Sequence, residues 1–351
     1  MKTYSVSQLE KICLGILSKI GVKSEVAVEV TNCLIETSLR GVDSHGVNLL
    51  PHYVDAVLAG RINPNPDFKF KKTGDTIGLL DADDSFGHAA CSLAMKKAIE
   101  MCKKHGSGFV SVYNSTHFSA CSYYSLQAAR QNMIGIAATH TDSLMLSARG
   151  KRPFLGTNPI SFTFPCDGED PVCLDMATTQ VTFNYVRMAM QNKQKIKSGI
   201  AVDKNGNVTT QPEEAAALLP MGDYKGYALG FVVEVLCSLL ANMPYGPNIS
   251  SMYKGPISKK RKLAHFVGAI DIGRFIEISI FKKRLKQLVT DLRNEPAFNP
   301  DLPVLVPGDP EKKAQELRLR NGIPLSELTM EKINNIILEK NLSKELLLHA
   351  E

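Results

Sequence analysis

GSGFVSVYNSTHFSACSYYSLQAARQNMIGIAATHTD, residues 106–142, decides how the chain is expected to fold. Gly108-Phe109-Val110-Ser111-Val112 is a short apolar run between turn residues and predicts a buried strand. Residues 119–132 have helical character, and Ile134 to Thr139 predicts a second strand. Strand, helix and strand in this order predict a βαβ unit of a parallel sheet, whose ligands bind beyond the carboxyl ends of the strands. His117 and the Thr139-His140-Thr141-Asp142 segment would then share that edge.

Upstream, Ala90, Leu93, Ala94, Ala98, Ile99 and Cys102 fall at helical spacing from Gly87 to His105-Gly106. Nearer the start, Ser7 and Glu10 form a capping box before the set Leu9, Ile12, Cys13, Ile16 and Ile20, with Gly21 as the stop. A second helix is expected from Ser24 to near Arg40, closed by Gly41. That places Asp43-Ser44-His45-Gly46 in the turn leaving a helix, where catalytic side chains are often presented. Histidine titrates nearest neutrality, so His45 beside Ser44, and His117 after Ser115-Thr116, are candidate proton-transfer groups. Taken singly, each is also explained as a hydrogen-bonded structural residue.

With 351 residues, two or three packed units are expected, enough to enclose an enzyme pocket. A hydrophobic share of 44% and a charged share of 22% exclude disordered and fibrous classes. The net charge of +6 is spread along the chain and implies no nucleic-acid partner. Lys259-Lys260-Arg261-Lys262 is the exception and is expected to be a solvated loop. The eight cysteines show no C-x-x-C pair and read as reduced core thiols. With no apolar leader at the start, an intracellular, cytoplasmic protein is expected. The apolar run Gly226 to Met243 is broken by Glu234, so a buried helix is expected rather than a membrane span.

No glycine-rich phosphate loop follows an early strand. Gly106-Ser107-Gly108 lies between a helix and a strand, the reverse of the dinucleotide order, which excludes an ordinary Rossmann domain. Asp203, Asn205, Asn207 and Glu214 have calcium-loop spacing, but Val208 stands where glycine is required, so an Asn205-Gly206 hairpin is expected. No metal site is expected. Gly156-Thr157-Asn158-Pro159 turns into an alternating strand. Asp175 is read either as lining the sheet edge or as an N-cap. Lys225, between glycines before an apolar helix, is a candidate for cofactor phosphate or ribose.

These motifs, in this order, resemble the malate/L-lactate dehydrogenase family of NAD(P)-dependent oxidoreductases, from Arg40-Gly41-Val42-Asp43-Ser44-His45-Gly46-Val47 to Asn321-Gly322-Ile323-Pro324-Leu325. Val202-Asp203-Lys204-Asn205-Gly206 and Ser250-Ser251-Met252-Tyr253 look most like its ureidoglycolate dehydrogenase branch. The resemblance implies an α/β, non-Rossmann, sulfolactate dehydrogenase-like fold. Its central mixed sheet would carry the cofactor domain, placed at 119–299. A helical and mixed substrate and dimerisation region would come from both chain ends, 1–118 with 300–351. It further implies a homodimer and hydride transfer between NAD or NADP and a small 2-hydroxy or 2-keto acid. Catalysis would fall to His117, His45 and Ser44. Thr141, Asp175, Met176, Ala177, Lys225, Gly308, Asp309 and Pro310 would hold the cofactor, and Thr157 and Asn158 the substrate.

The chain departs from the family pattern at three places. Leu49 stands where an arginine would grip a substrate carboxylate, which leaves Arg40, Lys151 or Arg152 as other sources of charge. Ser119 replaces a glycine, and Asn184-Tyr185 replaces a glycine with a charged neighbour. A second reading follows from these changes: a catalytically silent relative that keeps the scaffold for binding. Cofactor binding without turnover would mark it.

Overall fold

The computed structural model describes residues 2–348. Its helices are α1 (Val6–Lys19), α2 (Ser24–Leu39), α3 (Leu50–Leu58), α4 (Gly87–His105), α5 (Ser122–Ala129), α6 (Phe183–Gln191), α7 (Tyr224–Glu234), α8 (Ile278–Arg293), α9 (Asp309–Asn321) and α10 (Glu327–Glu339). Leu9, Ile12, Cys13 and Ile16 of α1 are fully buried against α2, α3 and α10 in one helical core. Ser5, not Ser7, caps α1: it holds extended backbone and its hydroxyl accepts the Gln8 N–H at 3.2 Å, whereas Ser7 already lies inside the first turn. Strand β1 (Lys2–Tyr4) pairs with β14 (Ile323–Leu325), joining the two ends of the chain.

A seven-stranded sheet forms the centre. It comprises β2 (Lys69–Lys72), β3 (Ile77–Asp81), β4 (Ser107–Ser115), β5 (Met133–Thr139), β8 (Ile160–Phe164), β9 (Val172–Met176) and β13 (Leu263–Asp271), in the order β2-β3-β4-β13-β5-β8-β9. Strands from both sides of residue 118 therefore share one sheet. The expected strand–helix–strand elements are present, but they are not neighbours: β13 lies between β4 and β5, antiparallel to both. The sheet is mixed, and β3 with β4 is its parallel pair. The reason lies far along the chain, in a strand whose Leu263, Ala264, Val267 and Ala269 are buried and so belong mid-sheet. Because strand side chains alternate, Val267 and Ala137 face α4 and α5, while Phe266 and Ala138 face α7.

A five-stranded sheet, ordered β11-β10-β12-β6-β7, contains β6 (Met145–Leu146), β7 (Pro153–Leu155), β10 (Ala201–Val202), β11 (Val208–Thr209) and β12 (Ala217–Leu218). The β10–β11 connection is the Asn205-Gly206 hairpin, in which the Asp203 carboxylate accepts the N–H groups of Asn205 and Asn207.

Two expectations are corrected here. The 226–243 run is buried only along Gly226, Gly230, Val233, Glu234, Cys237 and Ser238; Phe231, Val232, Leu239 and Leu240 are about half exposed on the outer face. The basic run at 259–262 is not a solvated loop. Arg261 turns inward at 3% exposure, and Lys262 binds Asp84 and Asn114. All eight cysteines are buried and unpaired, and no helix among the described residues is long and apolar enough to cross a membrane.

Candidate active site

β4 and β5 end at the same sheet edge, and β13 begins there. Three distant stretches, 115–122, 139–144 and 250–262, therefore converge on the turn that follows α2. Within it, the imidazoles of His45 and His117 stack with ring centres 5.5 Å apart. The Ser44 hydroxyl lies 2.8 Å from His45 Nδ1, and the Tyr53 hydroxyl 2.7 Å from His117 Nδ1. His117 Nδ1 also accepts the Ser119 N–H at 3.4 Å, which leaves Nε2 as the nitrogen that serves the adjoining cavity. Burial pushes the His45 pKa down to about 4 and, with His45 and Arg261 nearby, holds His117 well below the ordinary imidazole range. Both rings are neutral near pH 7.

Ser119 has a positive φ of 72°, a conformation that favours glycine, which accounts for a glycine in the family pattern. In this chain the hydroxyl has a use: Ser119 Oγ donates to the His45 carbonyl at 2.5 Å, tying the two histidine loops together. Asn184 makes a second tie, donating to the Ser44 carbonyl at 2.9 Å and accepting from the Tyr253 hydroxyl at 3.0 Å. Leu49 is buried in the helical core and lines neither of the two cavities beside the histidines.

Two cavities meet at His45, Thr157 and Thr182. The larger, about 460 Å³, is lined by Arg40, Asp175, Met176, Ala177, Gly308 and Pro310 among others. The starts of α5 and α9 border it, two helix ends whose dipoles favour anions. Arg40 Nε is buried there without a hydrogen-bond partner. Asp175 is a residue of β9 rather than the N-cap of a helix, and from the strand its carboxylate accepts the N–H of Ser122, the first residue of α5, at 2.8 Å. Enclosure by the cleft walls raises its pKa, and the Ser122 bonds oppose this.

The smaller cavity, about 70 Å³, is lined by His45, His117, Thr141, Thr157, Asn184, Tyr253, Lys254 and Arg261, with apolar surface from Leu144, Phe183 and Met252. Arg261 donates to Asp142 Oδ1 at 2.5 Å and to the Ser250 carbonyl at 3.1 Å. Removing one member of such a buried pair strands the other's charge. Asp142→Ala should therefore cost about 3–5 kcal/mol of stability, measured by denaturant unfolding.

Of the residues singled out from sequence, His45, His117, Thr141 and Thr157 gather at the small cavity, and Asp175, Met176, Ala177, Gly308 and Pro310 at the large one. Ser44 reaches the site through His45. Asn158 is buried and lines neither cavity; its amide donates to Glu234 and the Gly230 carbonyl and its oxygen accepts the Thr141 N–H, so it sets the Thr141–Thr157 wall. Asp309 is engaged by Arg293. Lys225, Lys151 and Arg152 are exposed and line neither cavity.

Tyr53, Asn184, Tyr253, Lys254 and Arg261 had no site role in the sequence reading. The signals were faint: a tyrosine at helical spacing, a Ser-Ser-Met-Tyr motif and a basic run.

A long groove opening into a small pocket beside two neutral imidazoles is the arrangement of an enzyme that binds two small molecules side by side and moves a proton between loop and ligand. The malate/L-lactate dehydrogenase family profile matches residues 4–334, and the chain belongs to that family. It is 33% identical over 342 residues to malate/(S)-sulfolactate dehydrogenase of Methanothermus fervidus, covering 96% of this chain and 98% of that one. Identity to the NAD(+) ureidoglycolate dehydrogenase of Escherichia coli O157:H7 is 32% over 312 residues, 88% of each chain. The crystal structure of malate dehydrogenase from Entamoeba histolytica superposes with a TM-score of 0.93 at 30% identity, covering 97% of this chain and 99% of that one. The non-Rossmann mixed fold expected from sequence is thereby established.

Proposed function

We propose that the protein is an NAD(P)-dependent dehydrogenase interconverting a small 2-hydroxy acid and its 2-keto acid, with His117 as the proton-transfer group. The observation that carries this reading is the His117–Tyr53 pair: His117 lines the small cavity and stacks on His45, one of the residues where groove and small cavity meet. The groove suits the cofactor's pyrophosphate at the start of α9, with Arg40 Nε lacking an acceptor nearby; the start of α5 is already met by the Asp175 carboxylate. Asp175, Met176, Ala177, Gly308 and Pro310 would hold the rest of the cofactor, whose bound nicotinamide supplies the hydride chemistry.

His117 Nε2 moves the proton of the substrate's C2 oxygen. With Nδ1 accepting from Ser119 N–H and the Tyr53 hydroxyl, Nε2 carries the hydrogen that passes to a 2-keto acid's oxygen; in the reverse direction Nδ1–H donates to the Tyr53 oxygen, the Nε2 lone pair takes the proton and the ring becomes imidazolium. A bound substrate anion raises the His117 pKa from its depressed value, making the ring a better base when substrate is present. Ser44 and His45 orient the same oxygen. The Asn184 bridge and Ser119 hold both histidine loops in place. Absorbance of the reduced nicotinamide, followed over a panel of 2-hydroxy and 2-keto acids, tests the reading. Cofactor binding with no turnover on any acid would instead favour the silent-scaffold alternative.

The outer face of α7 and the turn after it presents Tyr224, Phe231, Val232, Leu239 and Leu240 to solvent, an apolar patch of the kind a partner covers. A second copy of the chain is the partner this reading assigns. Phe231→Glu with Leu239→Glu should convert the dimer to monomer at micromolar concentration, measured by sedimentation. An unchanged mass would place any interface elsewhere. Eight unpaired thiols suit a reducing cytoplasm.

A further inference from the structure

We propose that the small cavity selects 2-hydroxy monocarboxylates with a short uncharged side chain over dicarboxylates, and that Lys254 is the anchor for the single carboxylate. This rests on the dehydrogenase reading above and adds the substrate class. Three residues carry fixed charge in the cavity's lining: Asp142, Lys254 and Arg261.

Asp142 and Arg261 cancel. Their ion pair is buried, with side chains 11% and 2% exposed, and each also bonds loop 250–252, Arg261 Nε to the Ser250 carbonyl and Asp142 to the Met252 N–H. Lys254 differs. It makes no ion pair among the described residues, and it is exposed and lines the cavity. Its backbone N–H donates to Ser251 Oγ at 3.2 Å, which fixes the loop and leaves the ammonium free. A further cation, Arg187, lies flat on the Tyr253 ring at 3.5 Å; Tyr253 lines the cavity and Arg187 does not.

The rest of the wall is neutral. Leu144, Phe183, Met252 and Tyr253 are apolar or aromatic, and Thr141, Thr157, Thr182, Asn184 and Ser251 supply uncharged polar contacts. The two histidines are neutral, as argued above. One carboxylate therefore meets one cation of the lining that has no ion-pair partner among the described residues. A second anionic group would be desolvated against apolar wall with nothing to balance it, which disfavours doubly charged acids. The cavity is also the smaller of the two, which favours a short side chain.

The test compares kcat/KM for lactate and 2-hydroxybutanoate with that for malate and sulfolactate, using the full-length protein and saturating cofactor. The monocarboxylates are expected to lead by about 100-fold. Lys254→Met should raise the monocarboxylate KM by about 100-fold and change kcat far less, because the anchor binds ground and transition states alike. Lys254→Arg should restore most of the affinity. The residue is exposed, so these variants fold. Malate or sulfolactate preferred over lactate would overturn the proposal while leaving the dehydrogenase reading intact, as would an unchanged KM in Lys254→Met. No turnover with any 2-hydroxy acid would sink both.

Discussion

His117→Asn should lower kcat by about two to four orders of magnitude while cofactor binding, read by quenching of nicotinamide fluorescence, stays within about twofold of the parent protein. Asparagine fits the space but cannot carry the C2 proton. The large cavity, the proposed cofactor site, is not lined by His117. Tyr53→Phe gives the companion result. It removes the hydroxyl 2.7 Å from Nδ1 and so the partner that accommodates both tautomers. Activity should fall less than in His117→Asn, and the pH profile should shift, because Tyr53 acts through the imidazole. If His117→Asn kept near-normal turnover, the proton would have to pass through His45, whose Nδ1 is held by Ser44.

Acid should unfold the protein from the histidines outward, with His88 contributing a full proton. His88 is completely buried, with neither ring nitrogen hydrogen-bonded, and its edge packs against Tyr53 at 4.9 Å between ring centres. Burial pushes its pKa from the ordinary 6.5 to about 3. The folded-state pKa is depressed, so the unfolded chain takes up a proton that the folded chain refuses. Stability is therefore intact above about pH 6.5 and is lost progressively as the pH falls toward 3, at about 1.4 kcal/mol per pH unit for this one group. His265 adds a similar slope. Its ring is fully buried between the hydroxyls of Thr139 and Ser115, at 2.7 and 2.8 Å, and its pKa is well below the usual range.

His88→Leu should remove one proton's worth of this acid limb and leave stability at pH 7 unchanged or slightly higher, since an unpaired buried ring is exchanged for an apolar side chain. Urea unfolding at several pH values measures both. An acid limb of unchanged slope in His88→Leu would mean that His88 finds a partner in solution.

Much of the fold was legible because local pattern and tertiary packing agree. The spacing of Leu9, Ile12, Cys13 and Ile16 gave α1, and the run from Gly87 gave α4, closed at Gly106 in the left-handed conformation. The strands on either side of α5 were also readable. Their arrangement was not, because the strand between them begins at Leu263 and no local signal announces where a distant segment will insert. The same insertion hides part of the site: Arg261 reads as one residue of a basic run until β13 carries it to the edge where His117 stands. The outer face of α7 was misread for a related reason. A continuous apolar run does not reveal which side meets its own chain and which is left for another. His45 and His117 were legible as a pair through the resemblance to the family, whereas Tyr53 and Asn184, which orient their loops, carry no chemistry that marks them in sequence.

The central claim is that this chain passes hydride between a nicotinamide and the C2 of a small 2-hydroxy acid. Incubating the protein with a 2-keto monocarboxylate and reduced cofactor deuterated at the transferring position, then examining the product by proton NMR, measures that transfer itself. The account predicts a 2-hydroxy acid bearing deuterium at C2, formed by the parent protein and nearly abolished in His117→Asn. Bound cofactor with no deuterium delivered to any keto acid offered would contradict it.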